Sequence, residues 1–210
     1  EHTPQPRDGR VSSITTEEKI VAVARKNSHD IVILVQRKGF ATMVVCKNCG
    51  HIETSPLTGL PMTYREDTRM MHGTHGDEQR PLPTTCSVCK STMILLRGAG
   101  TEKIASYFSE LFAKEHILIP VFRIDDNTPP ATLTELTHNT PRVIIGTEKI
   151  LSHIRPESTE LYVILDLERY LAIPEFQTFE RVVHLLSTFN YLRNTESQFI
   201  IETNSSDKPI

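Results

Sequence analysis

The sequence IVILV at positions 31–35 is an unbroken apolar run. Such a run predicts a strand covered on both faces, as strands of parallel sheets are. Similar short apolar runs occur at Leu161–Leu165 (LYVIL), Arg142–Ile145 (RVII), Ile117–Ile124 and Phe199–Ile201. These five segments are the predicted strands of one sheet.

Segments with a helical apolar period separate several of these runs. Thr15 and Glu18 have capping-box spacing, which predicts a helix near 15–27. Further helices are predicted over 102–113 and over 174–192, the latter beginning with a proline. Short apolar strands that alternate with longer helices indicate an α/β fold, with a parallel sheet and helices on both faces.

Residues 37–97 interrupt this alternation. They are rich in Pro, Gly, Thr, His and Cys and have no long helical period, although Met93–Leu96 is a strand candidate. We therefore predict an irregular insertion over 37–97 within an α/β domain formed by 13–36 and 98–210. The polar residues 1–12 are a predicted flexible lead-in.

Composition excludes several classes of protein. The 210 residues are 38% hydrophobic and 23% charged, with 13 Pro and 9 Gly, which excludes a collagen-like or wholly disordered chain. The net charge of −3 excludes a globally basic nucleic-acid binder, although residues 37–97 carry 8 basic against 5 acidic residues. No apolar run is long enough to span a membrane, and no secretory signal is recognisable, so we predict a cytoplasmic protein without structural disulfides. The first residue, Glu1, favours a segment of a longer chain.

All four cysteines fall into two CxxC pairs, CKNCG at 46–50 and CSVCK at 86–90. A turn with two residues between its cysteines can direct both thiolates toward one ion, and two such turns complete a tetrahedral shell. The pattern therefore predicts one structural zinc site formed by Cys46, Cys49, Cys86 and Cys89. A redox CxxC and free buried thiols are the alternatives. His72 and His75 form a further pair, for which a polar loop without metal is favoured.

Phosphate-binding signals are weak. The chain contains no G-x-x-x-x-G-K-[ST] loop. Gly98–Thr101 and Gly146–Thr147 each follow a predicted strand, and we expect both turns to lie on one rim of the sheet, where ligands gather. Tight turns with helix caps explain them equally well.

Four carboxylates that follow predicted strands are candidates for acid-base or metal chemistry, with capping as the favoured alternative: Asp125, Asp126, Asp166 and Glu168.

The order of several short motifs carries a family resemblance. RKGF leads into VVCKNCG, and QRPLPTTCSVC is followed by RGAGTEKI, FRIDDNT, VIIGTEKI, LYVILDLE and PEFQTFERVVHLL. Over about Ser13–Thr203 the chain resembles the second helicase lobe of the primosomal protein N′ (PriA) family of bacterial replication-restart DNA helicases. GAGTE, RIDxxT, IGTEK and the xEFxxxER helix, in that order around an intact set of four cysteines, are its most specific parts.

The resemblance implies a RecA-like lobe with a zinc-binding insertion. It also implies a superfamily 2, 3′-to-5′ DNA translocase that binds forked or single-stranded DNA, and that cooperates with single-strand DNA-binding protein and primosome proteins. ATP and Mg²⁺ would be bound only together with a first lobe that holds the Walker residues.

The chain departs from the family at several motifs. The family has four CxxC pairs and two zincs, whereas here Ser55 and Thr58 replace the second pair and His72 and His75 the third. The four cysteines match the outer pairs, which share one zinc in the family. The stretch after IGTEK is LSHIRPES, and TFNYLRNTES replaces the arginine-finger motif, with Arg193 out of register. No catalytic residue can be assigned, and the chain alone is predicted to be inactive as an ATPase.

Three hypotheses follow. The chain is a PriA-like helicase segment, a non-hydrolysing zinc-stabilised platform that binds DNA or protein, or an unrelated α/β enzyme with a structural zinc. We favour descent from the PriA family with a DNA-associated function. The candidate contacts to DNA or phosphate are Arg37, Lys38, Gly100, Thr101, Gly146 and Thr147.

Overall fold

The computed structural model describes most of the chain, namely residues 11–36, 41–73, 77–125, 128, 132, 140–165, 167, 178–192, 194 and 196–203. The chain forms two compact units, one made of Glu1–Gln36 with Ala105–Ile210 and the other of Arg37–Ile104. In the described part of the chain, no helix has the length and apolar character needed to cross a membrane.

Three α-helices and ten strands are found among the described residues. The helices are α1 (Ile14–Lys26), α2 (Thr101–Lys114) and α3 (Thr178–Leu192). The strands are β1 (Asp30–Leu34), β2 (Met43–Cys46), β3 (Thr63–Arg65), β4 (Met70–His72), β5 (Gln79–Pro81), β6 (Ile94–Arg97), β7 (Val121–Ile124), β8 (Val143–Gly146), β9 (Thr159–Ile164) and β10 (Gln198–Ile201). Two short 3₁₀ helices, Glu148–His153 and Pro156–Ser158, connect β8 to β9.

The first unit is built on a five-stranded sheet in the order β10-β9-β1-β8-β7, and every neighbouring pair is parallel. All five residues of the central strand β1 have 0% exposure, so this strand is covered on both faces. This arrangement confirms the predicted α/β fold and is the architecture expected of a RecA-like lobe.

Aromatic packing holds α3 against the sheet. The rings of Tyr162 on β9 and Phe189 on α3 meet edge to face with their centroids 5.6 Å apart, and Phe189 makes a similar contact with Phe199 on β10. The Tyr162 hydroxyl donates a hydrogen bond to the carbonyl of Leu192 at 3.2 Å. The buried tyrosine therefore also provides a donor for a carbonyl at the C-terminal end of α3, where no N–H of the helix is available. The predicted start of this helix at Pro174 lies outside the described residues.

The predicted cap of α1 is two residues too late. The N-cap is Ser13, whose backbone is extended and whose hydroxyl accepts a hydrogen bond from the Thr16 N–H at 3.2 Å. Thr15 already lies within the helix, where its side chain cannot cap the N-terminus. The helix ends at Lys26, and its C-cap, Asn27, adopts the left-handed conformation with φ 47°.

The predicted strand over 117–124 is shortened to β7, because the end of α2 uses its first residues. His116 has a positive φ of 56°, and the Ile117 N–H donates to the carbonyl of Phe112 at 2.8 Å. This is the geometry of a Schellman closure, which commits that N–H to the helix rather than to the sheet. Pro120 has no N–H to offer a ladder, so pairing begins at Val121.

The second unit contains two small antiparallel sheets, β2-β6 and β3-β4-β5. The predicted strand Met93–Leu96 is β6, shifted by one residue, and it pairs with β2. A small cluster of buried side chains forms its core: Ala41, Val44, Met62, Tyr64 and Met71. This cluster of described residues is small, so further cross-links are expected to contribute to the stability of the unit.

Candidate metal centre

The first cysteine pair lies in a tight turn at the end of β2. The Cys46 N–H donates to the carbonyl of His51 at 2.8 Å, and the Gly50 N–H donates back to the carbonyl of Cys46 at 2.9 Å. Gly50 has a φ of +75°, a conformation in which a side chain would be strained. These two bonds close the turn that carries Cys46 and Cys49.

The second pair has the same backbone pattern. The Cys86 N–H donates to the carbonyl of Ser91 at 2.8 Å, and the Lys90 N–H donates to the carbonyl of Cys86 at 3.0 Å. Lys90 occupies the position of Gly50 and also has a positive φ, of 60°. Both CxxC turns are therefore knuckles of one type.

The two knuckles bring the four sulfur atoms together. The Sγ atoms of Cys46 and Cys89 are 3.5 Å apart, and those of Cys49 and Cys86 are 3.7 Å apart. All four ligand atoms lie within 4.8 Å of one another. A tetrahedral zinc with Zn–S bonds of ~2.3 Å separates its sulfurs by ~3.8 Å, whereas a disulfide requires ~2.05 Å. The geometry fits a shared metal ion and does not fit disulfide bonds.

Hydrogen bonding gives two of the thiols, Cys49 and Cys89, very different pKa values. The Ser91 N–H, the Asn48 amide and the neighbouring cysteines lower the pKa of Cys89 to about 6, which favours its thiolate. The His51 N–H lowers the pKa of Cys49, but contacts with Cys89, burial and the other two sulfurs outweigh it and raise the value to about 12. A bound cation would lower the pKa of all four thiols, including Cys49, because metal ligation requires deprotonated sulfur.

A polar cluster beside the cysteines joins the two knuckles. The Ser87 hydroxyl lies 2.9 Å from Nε2 of His51 and 3.1 Å from Oε1 of Glu53. The same ring nitrogen of His51 is 3.6 Å from that carboxylate oxygen. In a Ser-His-Asp triad the serine and the acid contact different nitrogens of the histidine ring. Here Ser87 and Glu53 both lie near Nε2, so the arrangement is not that of a triad, and its contacts link the two turns. No spacing in the sequence indicated that these three residues meet.

The redox alternative finds no support in the geometry of the turns. Cys46 ends β2, and both pairs lie in turns, whereas a redox CxxC is activated by the N-terminus of a helix. Of the histidine pair, His72 has its Nε2 atom 3.0 Å from the Thr68 hydroxyl. His75 lies outside the described residues.

The two Gly-Thr turns do not follow strands of one sheet, so the expectation of a common rim is wrong. Gly98–Thr101 follows β6, which pairs with β2 in the second unit, whereas Gly146–Thr147 follows β8 of the parallel sheet. The reason is that β6 pairs with β2 in the second unit and is not a strand of the parallel sheet.

The turn before α2 is closely packed. Gly100 is buried, and Thr101 has 0% exposure. The carboxylate of Glu102 accepts a hydrogen bond from the Glu66 N–H at 3.1 Å and lies 3.4 Å from Nε of Arg65. An acidic side chain therefore already occupies the first turn of this helix, which is the position favoured for an anion.

Gly146 ends β8 where a neighbouring strand comes close. A Cβ at this position would lie 2.1 Å from the carbonyl oxygen of Ile124 and 2.3 Å from Cγ2 of Ile150. Packing therefore requires glycine here, whether or not the turn contacts phosphate. Thr147 is half-buried, and its N–H donates to the same carbonyl of Ile124 at 3.3 Å. Contacts of Gly100, Thr101, Gly146 and Thr147 with DNA stay predictions.

The remaining candidates are only partly described. Asp125 is buried in a turn, where its N–H donates to the Thr128 hydroxyl at 2.7 Å and its carboxylate lies 3.4 Å from Nε of Arg123. Asp126, Asp166, Glu168 and Arg193 lie outside the described residues, as do the basic candidates Arg37 and Lys38.

A buried network of charged side chains lies near the amino-terminal ends of the parallel strands and was not predicted. Asp30, the first residue of β1, has 0% exposure, and its carboxylate accepts hydrogen bonds from the Arg155 guanidinium at 2.7 and 2.9 Å. The Arg142 N–H donates to the same carboxylate at 3.2 Å, and its Nε lies 3.5 Å away. Burial lowers the pKa of Arg142, and the charge of Asp30 opposes that effect. A lone Asp before an apolar run gave no signal of this role.

The fold and the cysteine cluster define an α/β protein with a candidate four-thiolate metal site. The chain is similar to replication restart protein PriA of Bacillus subtilis, with 23% identity over 86% of this chain and 23% of that protein. It is 28% identical to the Chlamydia pneumoniae protein of the same name, over 80% of this chain and 23% of that protein. The probable replication restart protein PriA of Deinococcus radiodurans is 24% identical, over 80% of this chain and 18% of that protein.

These similarities confirm the resemblance. The chain is PriA-like, and it spans about a quarter or less of the length of these curated relatives. No protein family model matches the chain.

Proposed function

We propose that the four cysteines hold one structural zinc ion. Four thiolates form a closed tetrahedral shell without an open position for substrate, which is the arrangement of structural zinc sites. The observation that supports this most directly is the pair of Sγ–Sγ distances, 3.5 and 3.7 Å, each close to the edge of such a shell. Zinc binding would stabilise the second unit, whose described residues form a small apolar cluster.

We further propose that the chain is a PriA-like segment acting in replication restart in the cytoplasm, where it binds forked or single-stranded DNA. The order of its motifs and its similarity to proteins named replication restart protein PriA support this role. Single-strand DNA-binding protein and primosome proteins are the proposed protein partners. The proposed organisation is a RecA-like lobe (13–36 and 98–210) that carries a zinc-binding insertion (37–97).

In this proposal the chain does not hydrolyse ATP by itself. Its 210 residues contain no G-x-x-x-x-G-K-[ST] loop, and the region that carries the arginine finger in the family is replaced by TFNYLRNTES. Without a phosphate-binding loop and a finger arginine, phosphoryl transfer lacks its main positioning and charge-stabilising groups. ATP and Mg²⁺ would be bound only together with a first lobe. A zinc-stabilised platform that binds DNA or protein without catalysis is the alternative, which the altered motifs favour.

Three measurements test the proposal. Metal analysis of the purified chain should give one zinc per chain, and a metal-free folded chain would contradict the zinc assignment. Fluorescence anisotropy should show tighter binding to a forked or single-stranded oligonucleotide than to a blunt duplex. ATP turnover should stay at background with and without forked DNA, so DNA-stimulated turnover would refute the absence of catalysis.

A matched pair of variants tests the basic DNA contacts. Lys38→Ala should weaken DNA binding and reduce its salt dependence, because one phosphate contact is lost. Lys19 is an exposed residue of α1 outside the candidate set, so Lys19→Ala is the control with the same change of charge. Equal effects of the two substitutions would argue against a local contact at Lys38.

A further inference from the structure

A third loop has the backbone of the two cysteine knuckles. In Ser55–Leu60, the Ser55 N–H donates to the carbonyl of Leu60 at 2.9 Å, and the Gly59 N–H donates back to the carbonyl of Ser55 at 2.8 Å. Gly59 has a φ of +70°. Residue one bonds to residue six, residue five bonds to residue one, and residue five has a positive φ, as in the loops that begin at Cys46 and Cys86.

Hydroxyl groups replace the thiols in this loop. The Ser55 Oγ atom accepts hydrogen bonds from the Leu57 N–H at 3.1 Å and from the Thr58 N–H at 3.2 Å. Its own O–H donates to the carboxylate of Glu78. The Thr58 hydroxyl accepts a bond from the Leu60 N–H at 3.3 Å.

These bonds use the full capacity of the Ser55 oxygen. A hydroxyl has two lone pairs and one proton, and here both lone pairs receive N–H donors while the proton points to Glu78. No lone pair is left to coordinate a cation, and a neutral hydroxyl is in any case a weak ligand for soft or borderline metals. Ser55 is 1% exposed, so water has little access to its side chain.

The backbone of Glu78 is held by a hydrogen bond of its own. Its carbonyl accepts a hydrogen bond from the Gly73 N–H at 2.9 Å, which closes the connection between β4 and β5, and it directly precedes Gln79, the first residue of β5. The carboxylate therefore joins the loop at 55–60 to the β4-β5 connection, as a metal shared between two ligand pairs would.

We propose that Ser55–Leu60 is a metal-independent knuckle. Its hydrogen bond to the Glu78 carboxylate provides the cross-link that a bound metal ion would provide between two ligand pairs. This loop then binds no metal ion, and it stays closed when the metal at the cysteines is removed. This inference concerns other residues than the zinc proposal and does not depend on it.

Hydrogen exchange of single amides tests the inference. A hydrogen bond to a charged group contributes about 1.5–3 kcal/mol, so Glu78→Ala should accelerate exchange of the Ser55 and Gly59 amides by roughly 10- to 150-fold. Glu78→Gln retains an acceptor and should give a smaller increase. Glu66→Gln is the control, because Glu66 is exposed in the same unit.

Chelation of the zinc-loaded chain provides the second measurement. A strong chelator should accelerate exchange of the Gly50 amide but leave that of the Gly59 amide within about threefold, a change of less than 1 kcal/mol. Equal acceleration at both glycines, a second zinc per chain, or unchanged exchange in Glu78→Ala would each overturn the inference. A chain without zinc in which Glu78→Ala still opens the loop would refute the zinc proposal and leave this one standing.

Discussion

Gly146→Ala is the most informative single substitution in the parallel sheet, because the structure specifies what the added methyl group meets. An ideal Cβ would lie 2.1 Å from the carbonyl oxygen of Ile124, whereas contacts shorter than 3.0 Å are essentially never seen for real Cβ atoms. The oxygen belongs to the backbone of β7, so rotation of a side chain cannot relieve the clash. The two strands must separate by about 0.9 Å, the difference between these distances.

The cost follows from that displacement. The Ile124 carbonyl also accepts the Thr147 N–H at 3.3 Å, so a shift of this size breaks that hydrogen bond. Overpacking costs about 1–3 kcal/mol, and a lost backbone hydrogen bond adds about 1 kcal/mol. A total of about 2–4 kcal/mol corresponds to a decrease in Tm of roughly 4–16 °C for a chain of this size.

Thermal unfolding followed by circular dichroism measures this decrease. Thr147→Ser is the control, since it changes the same turn without adding an atom. A decrease of less than ~1 °C for Gly146→Ala would refute the packing argument. A variant that keeps its Tm but loses DNA affinity would show instead that Gly146 acts as a phosphate contact.

Three further predictions concern the cysteines and the buried ion network. Cys46→Ser or Cys89→Ser should abolish stoichiometric zinc binding and unfold the insertion, as measured by metal analysis and amide exchange; a variant with full zinc content would contradict the four-thiolate site. Zinc affinity should increase with pH, because protons on thiols such as Cys49, with its pKa raised to about 12, compete with the metal; chelator competition at several pH values measures this, and a pH-independent affinity would exclude thiolate ligation. Asp30→Ala should lower the free energy of unfolding by about 3–5 kcal/mol in urea, because two arginines lose their carboxylate. The partly exposed Lys26–Glu160 pair is the control, and Glu160→Gln should cost less than ~1 kcal/mol.

The apolar runs determined much of the fold. A strand such as β1, with no polar residue between Ile31 and Leu34, is stable only when both faces are covered, and the structure has it at the centre of the sheet. Element ends were less predictable. The cap predicted at Thr15 was wrong because Ser13 caps the helix two residues earlier. The strand start predicted at Ile117 was wrong because the closure of α2 uses the Ile117 N–H.

The cysteine site was predictable for a related reason. The two-residue spacing within each pair is a local property, and each knuckle is closed by hydrogen bonds within six residues. The distances between pairs are set by β2 and β6, which the spacing of 36 residues does not reveal. Gly98–Thr101 shows the same limit, since its place after a strand was correct but the sheet to which that strand belongs was not.

By itself, the sequence determined an α/β chain, two CxxC knuckles and the order of motifs that makes the chain PriA-like. These depend on period, spacing and residue type, which act over a few neighbouring positions. Only the tertiary structure decided that Glu78 meets Ser55, that two arginines surround Asp30, and that Ile124 leaves no room beside Gly146. Each of these contacts joins residues at least 20 positions apart, where chain connectivity places no constraint and packing alone selects the partner.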